Sequence, residues 1–172
     1  FDRGAVYARL NDLDRALADF GDAILLQPGR AAAHYNRGLL HSRRGDLGRA
    51  LADFDETLRL EPRHAAALNN RGNVRLHRGD VEAALADYDA AVAADPALAA
   101  AWCNRAAARA RRGDGAGAIA DYTEALRLNS DDLTAYHDRG RLYAETGDYE
   151  QALADNQEAL RRAPDEARTL NN

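Results

Sequence analysis

Residues 65–98 read AAALNNRGNVRLHRGDVEAALADYDAAVAADPAL, and this stretch decides the fold. Gly79-Asp80 divides it and Pro96 closes it. Glycine accepts the left-handed backbone that ends a helix. The aspartate after it offers a carboxylate to the free N–H groups of the next helix. Proline then blocks any continuation of that second helix. The stretch reads as a hairpin of two short helices.

The hairpin recurs. Shifted by 34 residues, the sequence largely overlays itself. Pro28, Pro62, Pro96 and Pro164 fall on the period, with Ser130 in the remaining place. Gly4, Gly38, Gly72 and Gly140 do the same, with Ala106 as the exception. Ala16, Ala50, Ala84, Ala118 and Ala152 recur in every copy, as do Asp12, Asp46, Asp80, Asp114 and Asp148. Numbering each repeat so that proline is position 32 places Phe1 at position 5. In the copy at 31–64, helix A is expected over 31–44 and helix B over 47–60. Leu51, Phe54 and Leu58 give helix B an apolar stripe at spacings of three and four. One hairpin cannot bury its stripe alone, and stacked neighbours bury it together. The expected architecture is an all-α solenoid in a single array. It comprises a partial repeat at 1–30, full repeats at 31–64, 65–98, 99–132 and 133–166, and the start of a sixth at 167–172.

Composition agrees with a folded chain: 46% of the 172 residues are hydrophobic and 30% charged. The net charge of −5 carries no basic footprint for nucleic acid. All 23 of the Lys+Arg residues are arginine, which with abundant alanine and no methionine points to a GC-rich, bacterial coding sequence. Cys103 is the single cysteine, so no intramolecular disulfide forms. No run approaches the ~18 apolar residues of a membrane span, no signal peptide is visible, and a cytoplasmic location is expected. The chain begins Phe1-Asp2 rather than with methionine and is expected to be cut from a longer protein, so missing targeting signals carry little weight.

Period, hairpin and small-residue positions together resemble the tetratricopeptide repeat family over essentially the whole chain. Residues 65–98 carry Leu68, Gly72, Ala84, Tyr88, Ala91 and Pro96 at the family's pattern positions. The confusable pentatricopeptide repeat, an RNA reader, has a period one residue longer. The resemblance implies a right-handed superhelix of antiparallel helix hairpins. It also implies a concave groove lined by positions 2, 5, 6, 9, 12 and 13 of helix A, and a partner that is another protein or a peptide.

Position 6 is Asn36, Asn70, Asn104, Asp138 and Asn172. A primary amide both donates and accepts, so one per repeat suits the backbone of an extended peptide of any sequence. This looks like the asparagine ladder in the repeat domain of O-linked N-acetylglucosamine transferases. The alternative is an asparagine tolerated on a solvated face and multiplied by shared descent of the repeats. Position 5 supplies Tyr35, Asn69, Cys103 and His137, position 9 supplies Leu39, Asn73 and Arg141, and position 13 supplies Arg43, His77, Arg111 and Glu145. Arg43 and Arg111 are candidates to receive acidic side chains, or are simply solvated at helix ends. The carboxylate clamp of chaperone-tail binders aligns best on Asn69, Asn73, Asn104, Thr134 and Asp138. Two asparagines match there and all three cations are missing, so that mode is not expected.

Arginine at position 7 (Arg3, Arg37, Arg71, Arg105, Arg139) and aspartate at position 23 (Asp19, Asp53, Asp87, Asp121, Asp155) recur in all five copies. They read as hydrogen-bonded ion pairs between packed helices, with an exposed charged stripe as the alternative. His34 occupies the place of Leu68, Trp102 and Tyr136 and reads as a packed core residue. The five histidines lack metal-ligand spacing, no phosphate loop is present, and neither an enzyme nor a cofactor is expected. Two further readings stay open: a regulatory or substrate-recruiting region of a larger enzyme, and a self-assembly module. The fourth repeat is expected to be the softest, because Gly115 and Gly117 each cost roughly 1 kcal/mol in a helix interior. Asn156 stands where other repeats carry an aromatic, and the apolar ends are expected to fray or associate end to end.

Overall fold

A computed structural model describes residues 1–162. Pro164, Asn172 and the expected start of a sixth repeat at 167–172 lie outside the described residues. Ten α-helices and no strands occur among them. The first unit holds α1 (Asp2–Arg9), α2 (Leu13–Leu26), α3 (Ala31–Arg43), α4 (Leu47–Leu60), α5 (Ala65–His77) and α6 (Val81–Ala94). The second holds α7 (Ala99–Arg111), α8 (Gly115–Leu128), α9 (Leu133–Glu145) and α10 (Tyr149–Arg162). The chain groups into two compact units, Phe1–Asp95 and Pro96–Asn172, divided in the connection between α6 and α7.

Within each repeat, helices A and B are joined by one joint, built five times. Asn11, Gly45, Gly79, Gly113 and Gly147 have positive φ, between 60° and 87°. The next aspartate's backbone N–H then reaches back to helix A, as in Asp46 N–H to His41 O at 2.9 Å and Asp148 N–H to Tyr143 O at 2.8 Å. This six-residue closure satisfies carbonyls that a helix end leaves open.

The expected side-chain cap is present in three of the five copies. Asp12, Asp114 and Asp148 accept from the N–H of Arg15, Gly117 and Gln151. Asp46 and Asp80 make no such bond. Asp46 instead turns its carboxylate to Arg44 at 2.9 Å, with His41 at 3.5 Å, because a guanidinium outcompetes a backbone N–H. The stop after helix B does not need proline. α8 ends in register although Ser130 replaces it, because Asn129 Oδ1 accepts from Asp131 N–H at 3.3 Å and turns the chain.

The interior of each hairpin is made by small residues under a ring. Ala16, Ala50, Ala84 and Ala118 are wholly buried. A Cβ on Gly38 would lie 3.0 Å from the Phe54 ring, and one on Gly72 would lie 2.6 Å from Tyr88. The helix axes approach too closely for more than hydrogen at those points. The fifth repeat departs as the sequence suggests: Asn156 is exposed, and so are Tyr149, Leu153 and Leu160 on the same helix.

All five arginine–aspartate pairs form inside their repeats, each with Nε and Nη2 on the two carboxylate oxygens. Every one of these aspartates is buried. The charged-stripe alternative is thereby excluded for the carboxylates. Arg71 also reaches Asp55 of the preceding repeat at 2.7 Å, and Arg139 reaches Thr123 at 2.9 Å, so the pairs tie neighbouring hairpins together.

Gly115 and Gly117 lie in the first turn of α8 rather than in its interior. The interior penalty does not apply there. The Gly117 N–H is the one capped by Asp114 at 3.0 Å.

Candidate functional site

Helix A side chains of adjacent repeats line open clefts. In the first unit a cleft of about 460 Å³ has a floor of Ala5, Ala8, Phe20, Leu39 and Leu40 and a rim of Arg9, Asn36, Ser42, Arg43 and Asn70. A second, of about 500 Å³, adjoins it through Ser42 and Arg43 and runs to Arg44, Leu47, Asn73, Val74 and His77. In the second unit a cleft of about 360 Å³ is lined by Ala107, Ala110, Arg111, Tyr122, Asp138, Arg141, Leu142 and Glu145. It is the first cleft moved on by three repeats. Ala5, Ala8, Arg9, Phe20, Asn36, Leu39, Leu40 and Arg43 become Ala107, Ala110, Arg111, Tyr122, Asp138, Arg141, Leu142 and Glu145.

The ten residues singled out from sequence meet different fates. Asn36 is half-buried on the rim of the first cleft, and its amide makes no hydrogen bond among the described residues. Asn70 lies on the same rim, but both its amide hydrogens are used, on Tyr35 Oη at 3.1 Å and Ala66 O at 2.8 Å. Only its carbonyl oxygen stays available to a ligand. Asn73 lies in the second cleft and accepts from Tyr88 Oη at 2.8 Å through its carbonyl oxygen, which leaves its NH₂ as the donor. Asn69 is only 7% exposed and belongs to the interior rather than to the groove surface. Tyr35 lines none of these clefts; it packs against the Phe54 cluster, its ring 4.8 Å from His64 and its hydroxyl held by Asn70. Burial pushes the Tyr35 hydroxyl above its ordinary pKa.

Arg43 is exposed and donates to Asn11 Oδ1 at 2.8 Å, a neutral partner that leaves its charge uncompensated. Arg111 is exposed on the cleft of the second unit. There, Asp138 accepts from Tyr122 Oη at 3.3 Å, and burial first, then the Asp138 charge, drives the phenol pKa up. Arg141 and Glu145, one turn apart on α9, pair at 2.5 Å on the lining of the same cleft. His137 is solvated, 3.7 Å from Asp138. Asn104 is half-buried and does not line that cleft.

Cys103 is half-buried, with Sγ 3.5 Å from Asp132 Oδ2. Burial and the Asp132 charge push its pKa up to about 12. It is a thiol at neutral pH and has no activated nucleophilic character. No group of His, Cys, Asp or Glu among the described residues is placed to hold a metal ion. No described helix is long and apolar enough to cross a membrane.

Sequence reasoning missed one cluster. His34 and His41 are both buried around Asp53, with His34 Nδ1 at 3.7 Å and His41 Nε2 at 4.0 Å from its carboxylate. At the place of His41, the third and fourth repeats carry Arg75 and Arg109, which bind Asp87 at 2.8 Å and Asp121 at 2.9 Å. The signal was present at position 11 of the repeat, which the periodic reading did not compare.

Comparison with known proteins agrees with this architecture. The sequence profile described as tetratricopeptide repeat matches residues 1–59, 40–99 and 103–167. No curated protein matches the chain significantly in sequence. Among solved structures, MamA of Desulfovibrio magneticus RS-1 is 22% identical, with 95% of this chain and 92% of that one covered and a TM-score of 0.85. PilF of Pseudomonas aeruginosa is 18% identical, covering 94% and 73%, with a TM-score of 0.87. YrrB, described as having an unusual peptide-binding site, is 22% identical, covering 98% and 87%, with a TM-score of 0.77. At these identities the likeness is one of fold.

Proposed function

This chain belongs to the tetratricopeptide repeat family, and we propose that it is a protein-binding scaffold whose helix A clefts hold an extended segment of a partner. The observation that carries this reading is the first-unit cleft. An apolar floor lies beneath a rim where Asn36 offers a donor and an acceptor and Asn70 offers an acceptor. Such a rim binds main-chain amides, while the floor takes a side chain. The ladder is therefore uneven: its rungs differ in what they have left to give. Preformed clefts on packed helices lower the ordering cost of binding.

The test is affinity capture from lysate of the source cell, read by mass spectrometry. The chain is compared with Leu39→Glu, which puts a charge in the floor, and with Ala90→Glu on the exposed face of α6. A partner lost with the first variant and kept with the second supports the cleft. Equal capture by all three moves the interface elsewhere and sinks the proposal.

Self-association is a second reading, favoured by the apolar side chains left exposed on α1 and α10. Leu153, Leu160 and Val6 are exposed where their counterparts Leu85, Leu58 and Val74 are buried. A second copy placing α1 on α10 repeats the way α5 covers α4 within the first unit. Light scattering across a concentration series, with Leu153→Glu as control, decides it.

A further inference from the structure

The first unit's two adjoining clefts have no carboxylate among their lining residues, although the chain as a whole carries 28 acidic residues and a net charge of −5. Arg9 and Arg43 stand on the rim of the first of these clefts. Arg9 has no ion-pair or hydrogen-bond partner among the described residues, and the only side chain bound to Arg43 is the neutral amide of Asn11 at 2.8 Å. Both guanidiniums are exposed, so their charge costs nothing to hold and is free to attract an anion. Arg44 differs, being occupied by Asp14 and Asp46. Arg9 and Arg43 share this cleft with the apolar floor of Phe20, Leu39 and Leu40.

The equivalent cleft in the second unit shows that this chemistry is chosen rather than imposed by the fold. The same helix positions carry Asp138, Arg141 and Glu145 in place of Asn36, Leu39 and Arg43. Arg141 and Glu145 there neutralise each other at 2.5 Å. One frame thus presents an apolar floor with two cations and no carboxylate in one unit, and in the other a lining where Asp138 and Glu145 accompany Arg111 and Arg141.

Resting on the reading of these clefts as peptide sites, we infer that the first unit selects an acidic segment bearing an aliphatic or aromatic side chain. The apolar side chain sits over Phe20 and Leu39. A flanking Asp or Glu carboxylate meets Arg9 or Arg43, where a guanidinium binds it through two parallel N–H donors. A basic segment is repelled from the same rim.

A random peptide library displayed on phage and panned on the whole chain tests this, with folding of each variant checked by circular dichroism. The expected result is enrichment of sequences in which Leu, Ile or Phe has Asp or Glu beside it. A double variant, Arg9→Glu with Arg43→Glu, is expected to weaken the enriched peptides by on the order of tenfold and to shift enrichment toward Lys and Arg. Leu39→Arg is expected to abolish their dependence on the apolar residue. Enrichment of basic or uncharged peptides, or no response to the double charge reversal, overturns the inference. If such peptides are still lost with Leu39→Glu, the cleft reading survives and only the acidic preference falls. If no peptide is enriched, or none responds to any cleft variant, both fall.

Discussion

Asp87→Ala probes the element that every repeat shares. The Asp87 carboxylate is 4% exposed and receives Arg71 through Nε at 3.0 Å and Nη2 at 2.6 Å. Arg75 approaches from the next turn of the same helix, Nη1 at 2.8 Å. Removing the carboxylate leaves Arg75, 27% exposed, without its anion, and leaves Arg71, 18% exposed, with only Asp55 of the preceding repeat. Breaking a buried pair by deleting one partner costs about 3–5 kcal/mol. For a chain of this length each kcal/mol moves the melting temperature by about 2–4 °C, so the expected fall is roughly 6–20 °C. Thermal melts followed by circular dichroism at 222 nm read it, and the loss should change little between low and high salt, because buried charges are weakly screened. Arg59→Ala, which breaks the solvated pair with Glu56, is the control and should leave the melt unmoved. A loss for Asp87→Ala below about 1 kcal/mol, the range of exposed pairs, refutes the view that the arginine–aspartate pairs are structural.

Four further outcomes are expected. His41→Arg places a guanidinium beside Asp53 where Arg75 and Arg109 serve Asp87 and Asp121, and should add about 1–2 kcal/mol as a charge-assisted hydrogen bond; a lowered melting temperature counts against it. Gly115→Ala meets nothing within 4 Å and should stabilise by about 0.4–1 kcal/mol. Gly117→Ala drives a Cβ into the Asp114 carboxylate and should lose a cap of about 1 kcal/mol, and a chemical denaturation series separates the two. Acid should be the destabilising direction. Hydrogen bonds from Arg3, Arg44, Arg59 and Arg127 hold Asp19, Asp46, Glu56 and Glu124 below their ordinary values, and Arg161 with Arg162 pulls Glu158 down to about 2. Stability from such depressed carboxylates is complete above the ordinary values of 3.8 and 4.5 and is lost as pH falls through the folded ones. The melting temperature should therefore hold from neutral pH to about 5 and decline toward about 2; a rise on acidification would contradict this.

The joints between helices were legible because their causes are neighbours in the chain. A glycine at a positive φ followed by an aspartate closes helix A whatever lies around it, and Asn11 does the same work at φ 60°. The arginine–aspartate pairs were legible for a related reason. Sixteen residues separate the partners in every copy, and one hairpin brings them together. The groove was less legible. Asn69 and Asn70 are adjacent and of one type, yet one is interior and the other stands on a rim, a difference set by about 100° of rotation per residue around the helix.

The repeat period, the helix boundaries and the internal ion pairs were determined by the sequence alone, since each depends on residues within one hairpin. Which donors remain for a ligand was decided only by tertiary structure. Asn70 spends its amide hydrogens on Tyr35 of the neighbouring repeat and on its own helix, while Asn36, of the same type at the same position, keeps both. Asp46 likewise leaves the helix it was placed to cap for a guanidinium two residues away. A side chain has more than one partner within reach, and the choice is made by what the packed surroundings bring closest.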